Sequence, residues 1–224
     1  MMDPQTGIGG TDSRSWDGFW RNAAAGGNAS WAKRRICALL ARHALPGRAA
    51  LDAGSGSGFF SRWFIERDCI THALDYSPAA LEATRTATGG RCAAYYSFDL
   101  LNPGAVNEHA AQFDIIFSDG LFEHFHPGQQ DAICRNMARM LKPGGVVITF
   151  VPNRWTPWTL IRPFLMPGIH EKPFTLAGLK RLYRRNGLAV AEAGGINVVP
   201  AALSPDALAG GMFGMLVYCI GGAA

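Results

Sequence analysis

Three glycines at alternate positions, Gly54, Gly56 and Gly58, follow Asp52 in the run Leu51-Asp52-Ala53-Gly54-Ser55-Gly56-Ser57-Gly58-Phe59-Phe60-Ser61. Glycine turns a chain sharply and lets a ligand approach main-chain N–H groups that a Cβ would shield. Asp52 adds a fixed negative charge beside that turn, which suits an adenosine-type ligand carrying a cationic amine. A dinucleotide loop wants G-x-G-x-x-G. Here the third position is Phe59 counted from Gly54, or Ser61 counted from Gly56, so an NAD-linked oxidoreductase fits poorly. About 17 residues past Gly58, a second apolar run ends in Asp75, a placement suited to gripping ribose hydroxyls. A further group lies in Ser118-Asp119-Gly120-Leu121-Phe122-Glu123-His124. Glu123 and His124 are its titratable pair, and a histidine serves as a base near neutral pH without a large shift. Capping a helix or bonding the backbone is the other role open to His124.

These residues need elements to carry them. Residues 1–15, rich in Gly, Ser, Thr and Asp, read as a flexible leader, and Trp16, Phe19 and Trp20 then supply apolar surface that must dock. Residues 30–45 form an amphipathic helix with Trp31, Ile36, Leu39, Leu40 and His43 opposite Lys33, Arg34 and Arg42. The basic face is expected to be solvated, with a membrane-surface helix as the alternative. Short apolar strands at 49–52, 70–75, 95–100, 113–118 and 146–151 alternate with helices at 59–67, after Ser77-Pro78, and at 128–141. Pro143-Gly144-Gly145 stops the last of these. Alternation of this kind implies a parallel sheet with ligands at the carboxyl ends of its strands. Past residue 151 come an aromatic, proline-rich segment, a helix at 175–186, a strand at 188–193, a Gly/Pro-rich stretch and a last strand at 215–220.

Composition narrows the function class. The chain has 224 residues, a net charge of +4, 48% hydrophobic and 17% charged residues, so one substantial core can form. Its basic residues are spread out, which argues against a dedicated nucleic-acid binder. Five cysteines, at 37, 69, 92, 134 and 219, include no C-x-x-C and are odd in number, as expected of reduced thiols in a cytoplasmic protein. No Asp/His cluster has clear metal-ligand spacing, so no metal is expected. Neither a signal peptide nor an apolar run of membrane-spanning length is apparent.

At residues 47–195 the chain resembles the class I S-adenosylmethionine-dependent methyltransferases, particularly the small-molecule group similar to quinone and natural-product methyltransferases. Five motifs carry the likeness in order: residues 51–60, Leu74-Asp75-Tyr76-Ser77-Pro78, Ser97-Phe98-Asp99-Leu100, residues 113–125 and Leu141-Lys142-Pro143-Gly144-Gly145. The resemblance implies a Rossmann-like, doubly wound α/β fold with a seven-stranded sheet, mostly parallel with an antiparallel last strand. Residues 16–224 would form a single domain, with 153–174 and 196–214 as substrate-side insertions. By position, Gly54, Gly56 and Gly58 would pass close to S-adenosyl-L-methionine. Asp52 would help hold its ammonium, Asp75 the ribose with Tyr76 along the adenosine, and Asp99 the adenine with Leu100 against the ring. Ser118 and Asp119 would lie between cofactor and acceptor, with Glu123 and His124 as candidate catalytic groups. Ser118-Asp119-Gly120-Leu121 replaces the (Asp/Asn)-Pro-Pro-(Tyr/Phe) of many methyltransferases that act on base nitrogens. Arg154, Trp155, Trp158 and His170 would help form the acceptor pocket or its lid, which would suit a planar or lipid-like small molecule bearing an acidic group. Self-association and peripheral membrane contact stay open, as does a non-catalytic, partner-binding subunit.

Overall fold

The computed structural model describes residues 13–21, 29–157 and 171–223. Seven strands form one sheet in the order β3-β2-β1-β4-β5-β7-β6. They are β1 (Ala49–Ala53), β2 (Ile70–Leu74), β3 (Ala94–Tyr96), β4 (Phe113–Asp119), β5 (Leu141–Pro152), β6 (Leu188–Ile196) and β7 (Leu216–Ala223). β1 pairs in parallel with β2 and β4, β2 with β3, and β4 with β5, whereas β7 is antiparallel to both β5 and β6. This is the expected Rossmann-like sheet with its antiparallel last strand. Strand order reverses between β1 and β4, and the crevice at their carboxyl ends is where such sheets bind ligands.

Each helix has a local cause. In α2 (Trp31–Leu40), the Ser30 hydroxyl accepts from Lys33 N at 3.2 Å, and Ala32, Ile36 and Leu40 recur at i, i+4 and i+8 to face the core. The helix α3 (Phe59–Ile65) starts directly from the glycine loop. Ser77 caps α4 (Pro78–Thr88), with proline at the first helical position and Gly89 ending it at φ +61°. A five-residue helix, α5 (Pro103–Asn107), was not foreseen; Asn102 caps it through Gly104 N and Ala105 N. α6 (Pro127–Met140) and α7 (Leu176–Arg185) follow the expected spans closely. α8 (Asp206–Phe213) falls within the apolar segment expected to join the substrate wall. The helix α1 (Ser13–Arg21) begins inside the stretch expected to be a leader, because Trp16, Phe19 and Trp20 dock.

Apolar residues on both faces of the sheet account for the nearly unbroken hydrophobic runs of its strands. Leu51, Ala53, Ile116, Val147 and Val151 face α5, α6 and α7, with Val106, Met137 and Tyr183 among the buried partners. Ala50, Phe117, Ile148 and Phe150 face α2 and α3, against Ile36, Leu40, Phe60 and Phe64. Among the described residues, no helix is long and apolar enough to cross a membrane.

Candidate functional site

A cavity of about 230 Å³ opens at the carboxyl ends of β1, β2, β3 and β4. The loop after β1 forms its floor, held because Gly54 N and Ser55 N both donate to Leu74 O, at 2.8 and 3.0 Å. Gly54, Gly56 and Gly58 have φ of +78°, +48° and +76°, a region that costs a residue with a Cβ about 1–2 kcal/mol. Their surroundings differ. A Cβ on Gly54 would meet only Leu121 Cδ1 at 3.5 Å, whereas one on Gly58 would lie 2.6 Å from Thr84 Cα in α4. Gly58 therefore serves the close packing of α3 on α4, and it does not line the cavity, although Gly54 and Gly56 do.

Four carboxylates converge on this cavity: Asp52, Asp75, Asp99 and Asp119. Asp52 is 2% exposed and accepts from Ser61 Oγ at 2.6 Å; burial pushes its carboxyl up to about 7 against that hydrogen bond. Asp75 accepts from Gly56 N through Oδ2 at 3.1 Å and from Ser77 N through Oδ1 at 3.0 Å. Burial raises it to about 6, with the Ser77, Gly56 and Tyr76 amides opposing. The loop and the acidic strand end thus lock each other in place. Asp99 accepts from Leu101 N at 2.8 Å, and burial also raises its pKa. Tyr76, Phe98 and Leu100 complete the wall at this end.

At the other end stand Trp16, Lys33, Phe59, Phe60, Asp119, His124 and Phe125. The Lys33 ammonium sits 4.3 Å above the centre of the Phe59 ring, and burial lowers its pKa, with Asp119 opposing. His124 is 4% exposed, with its ring centre 4.7 Å from that of Trp16, edge to face. Helix α1 closes the top. Asp17 accepts from the Ser77 hydroxyl and from Ala79 N (3.2 Å), a second cap on α4. Trp20 lies so close to the loop that a Cβ on Gly56 would be 2.6 Å from its Cζ2.

Several expected residues are placed elsewhere. The Ser118 hydroxyl donates to Thr149 Oγ1 at 3.2 Å inside the sheet and does not line the cavity. Arg154 and Trp155 (60% exposed) lie at the surface after β5, because Asn153 ties that turn to Met212 O and Gly214 O. Trp158 and His170 lie outside the described residues. Three residues at the site were not singled out for it, whereas Glu171 is, with His170, a candidate from the sequence if the late segment folds over the site. Trp16 and Trp20 carried the signal of unattached aromatic surface, while Lys33 was hidden on a helix face that read as solvated. Glu171 comes within 4.0 Å of His124 (Oε1 to Nε2) from beyond β5.

A glycine loop at the switch point of a doubly wound sheet, with an acid at each of the next strand ends, is the arrangement expected of a Rossmann-like nucleotide-cofactor site. Residues 50–145 match the family described as methyltransferase domain. The chain is 31% identical over 140 residues to a probable thiol methyltransferase 2 of Arabidopsis thaliana, covering 62% of each protein. It is 37% identical over 119 residues to a malonyl-[acyl-carrier protein] O-methyltransferase of Enterobacter lignolyticus, covering 51% of this chain and 43% of that one. It therefore spans less than two thirds of these curated relatives. A solved structure of a SAM-dependent methyltransferase from Archaeoglobus fulgidus shares the fold, with a TM-score of 0.65 at 16% identity over 84% of this chain and 93% of that one. The matched domain, the curated relatives and the shared fold support a class I S-adenosylmethionine-dependent methyltransferase, with S-adenosylmethionine as the cofactor.

Proposed function

We propose that the protein transfers a methyl group from S-adenosylmethionine to a small organic acceptor bound beside Lys33 and His124. The observation that carries this reading is the charge of the cavity. Four aspartates line it against one lysine, and the two best buried have raised pKa values. Such a site binds a cation well, because an opposite charge restores the stability that buried carboxylates lose. When bound, the cofactor supplies an electrophilic methyl on a sulfonium and a second positive charge on its ammonium.

Asp75 keeps acceptor capacity on both oxygens for a ribose diol, already aimed by Gly56 N and Ser77 N. Asp52, fixed by Ser61, faces the ammonium, and Asp99 the adenine amino group. In-line displacement draws its rate chiefly from alignment and the exclusion of water. Trp16 and Trp20 on α1 provide both by covering the cavity. His124 takes the proton of an acceptor that arrives protonated. An aromatic wall beside a half-buried ammonium fits a planar or lipid-like acceptor with an anionic group, the role expected of Arg154 before the fold placed it at the surface.

Radiolabelled methyl transfer to panels of aromatic acids, phenols, thiols and fatty acids tests the reading. Turnover that is highest for anionic acceptors, with KM raised more than kcat falls in Lys33→Met, is the expected result. Cofactor binding with no transfer to any panel member favours the partner-binding subunit instead.

A further inference from the structure

Glu123, His124 and Glu171 bring one ligating atom each to within 4.8 Å of one another. We infer that this trio is a binding site for a divalent transition-metal ion of the Zn²⁺ or Co²⁺ type, set into the acceptor end of the cavity. Nothing in the local sequence spacing announces it, since Glu171 lies 47 residues beyond His124 and on the far side of β5.

The fold assembles the trio with backbone bonds. Phe122–His124 is a single 3-10 turn leaving β4 through Gly120, whose φ is +77°. A Cβ at Gly120 would lie 3.5 Å from Glu123 Oε1, so the carboxylate folds back under that turn. Gln130 Nε2 donates to Phe122 O and Phe125 O at 3.0 and 2.9 Å, fixing both ends of the turn. Lys172 N donates to Glu123 O at 2.8 Å, which delivers the neighbouring Glu171 to the same point.

The donor chemistry and spacing suit one ion. Glu123 is fully buried, His124 is 4% exposed and Glu171 is partly buried. Two carboxylates drawn together out of water repel each other, and a dication offsets both charges. One imidazole with two carboxylates matches borderline ions better than magnesium or calcium, which favour oxygen alone. Ligands about 2.1 Å from a common ion lie about 3.0–4.2 Å apart as their angle opens from 90° to 180°. A tetrahedral angle corresponds to about 3.4 Å, so the His124 Nε2 to Glu171 Oε1 distance of 4.0 Å closes by about 0.6 Å on binding, and any pair near the 4.8 Å bound by up to about 1.4 Å. Three protein ligands leave a coordination position open, as catalytic rather than structural ions have. His124 lines the cavity, so an ion held by the trio would sit at the wall of its acceptor end. Resting on the proposed methyl transfer, an acceptor hydroxyl bound there would lose its proton to water more readily, and His124 would act as ligand in place of base.

Metal-stripped full-length protein titrated with Co²⁺ and Zn²⁺ tests the inference, read by visible absorption and equilibrium dialysis. One equivalent of Co²⁺ should bind with a d–d spectrum free of thiolate charge transfer, and Zn²⁺ should displace it. His124→Ala and the near-isosteric Glu171→Gln should each weaken binding more than about hundredfold, beyond the loss typical of residues that only orient a ligand. Circular dichroism would confirm that both variants fold. No one-equivalent binding, a thiolate band, or unchanged affinity in both folded variants overturns the site. S-adenosylhomocysteine titration of the metal-free wild type reads the cofactor site separately, so the two claims fail independently.

Discussion

Asp52 makes cofactor affinity a function of pH in a direction that its surroundings set. Its carboxyl titrates near 7 because burial opposes the charge, and Ser61 offsets only part of that cost. A cationic ammonium beside it stabilises the ionised form, so binding must expel the proton that the empty site carries at acid pH. With a value of about 7 in the empty site and full ionisation in the complex, affinity rises roughly sixteenfold, or about 1.6 kcal/mol, from pH 5.5 to 7. At pH 6 binding should release about 0.9 proton from this group. The same shift has the opposite sign in the stability of the empty protein. A carboxyl raised in the folded state contributes stability that is fully present below the unfolded value of 3.8 and is lost as pH rises through about 7. The unliganded protein should lose Tm over that window while the complex is spared. Isothermal titration with S-adenosylhomocysteine in two buffers of different ionisation heat measures both affinity and proton release. Asp52→Asn should remove most of the slope and leave a shallower one centred near 6, from Asp75. Flat affinity between pH 5.5 and 7 with no proton release would refute the reasoning.

The glycine loop separates packing from binding. Gly58→Ala combines a left-handed φ with a clash against Thr84 Cα and should cost about 2–5 kcal/mol, lowering Tm by roughly 5–15 °C on thermal unfolding. Gly54→Ala meets only Leu121 and should cost about 1–2 kcal/mol of stability while weakening cofactor binding more strongly than that loss accounts for. Asp17→Ala removes the second cap on α4 and should loosen α1 by about 1 kcal/mol; a red-shifted fluorescence of Trp16 and Trp20 with weaker cofactor binding reports it. Arg154→Ala and Trp155→Ala should leave acceptor KM within about twofold, since exposed surface positions away from a site change energies by under about 0.5 kcal/mol.

Much of this architecture is written in local pattern. Strands buried on both faces read as short apolar runs, and the caps Ser30, Ser77 and Thr175 mark helix starts that the structure keeps. Asp75 was legible from its spacing after the glycine loop and Asp99 through the family resemblance; a parallel sheet puts every strand's carboxyl end on one edge, which carries both to the cavity. Other features depend on contacts between distant segments. The docking site of α1 is visible only where Asp17 meets Ser77, and Glu171 acquires meaning only through Lys172 N and Glu123 O. Lys33 looked solvated because helical periodicity cannot tell a solvent face from a cavity wall. For Arg154 and Trp155, composition suggested a pocket, but Asn153 anchors the turn so that both project outward. α8 escaped detection because two of its eight residues, Gly210 and Gly211, are poor helix formers within an apolar stretch of no clear period.

The central claim is that the cavity between the glycine loop and Asp75 holds S-adenosylmethionine. Calorimetric titration of S-adenosylhomocysteine into the folded protein and into Asp75→Ala tests it most directly. The account predicts binding at one equivalent, weakened roughly hundredfold or more in the variant by the loss of two charge-assisted hydrogen bonds of about 1.5–3 kcal/mol each. Absence of binding to the wild-type protein, or equal affinity in a folded Asp75→Ala, would contradict it.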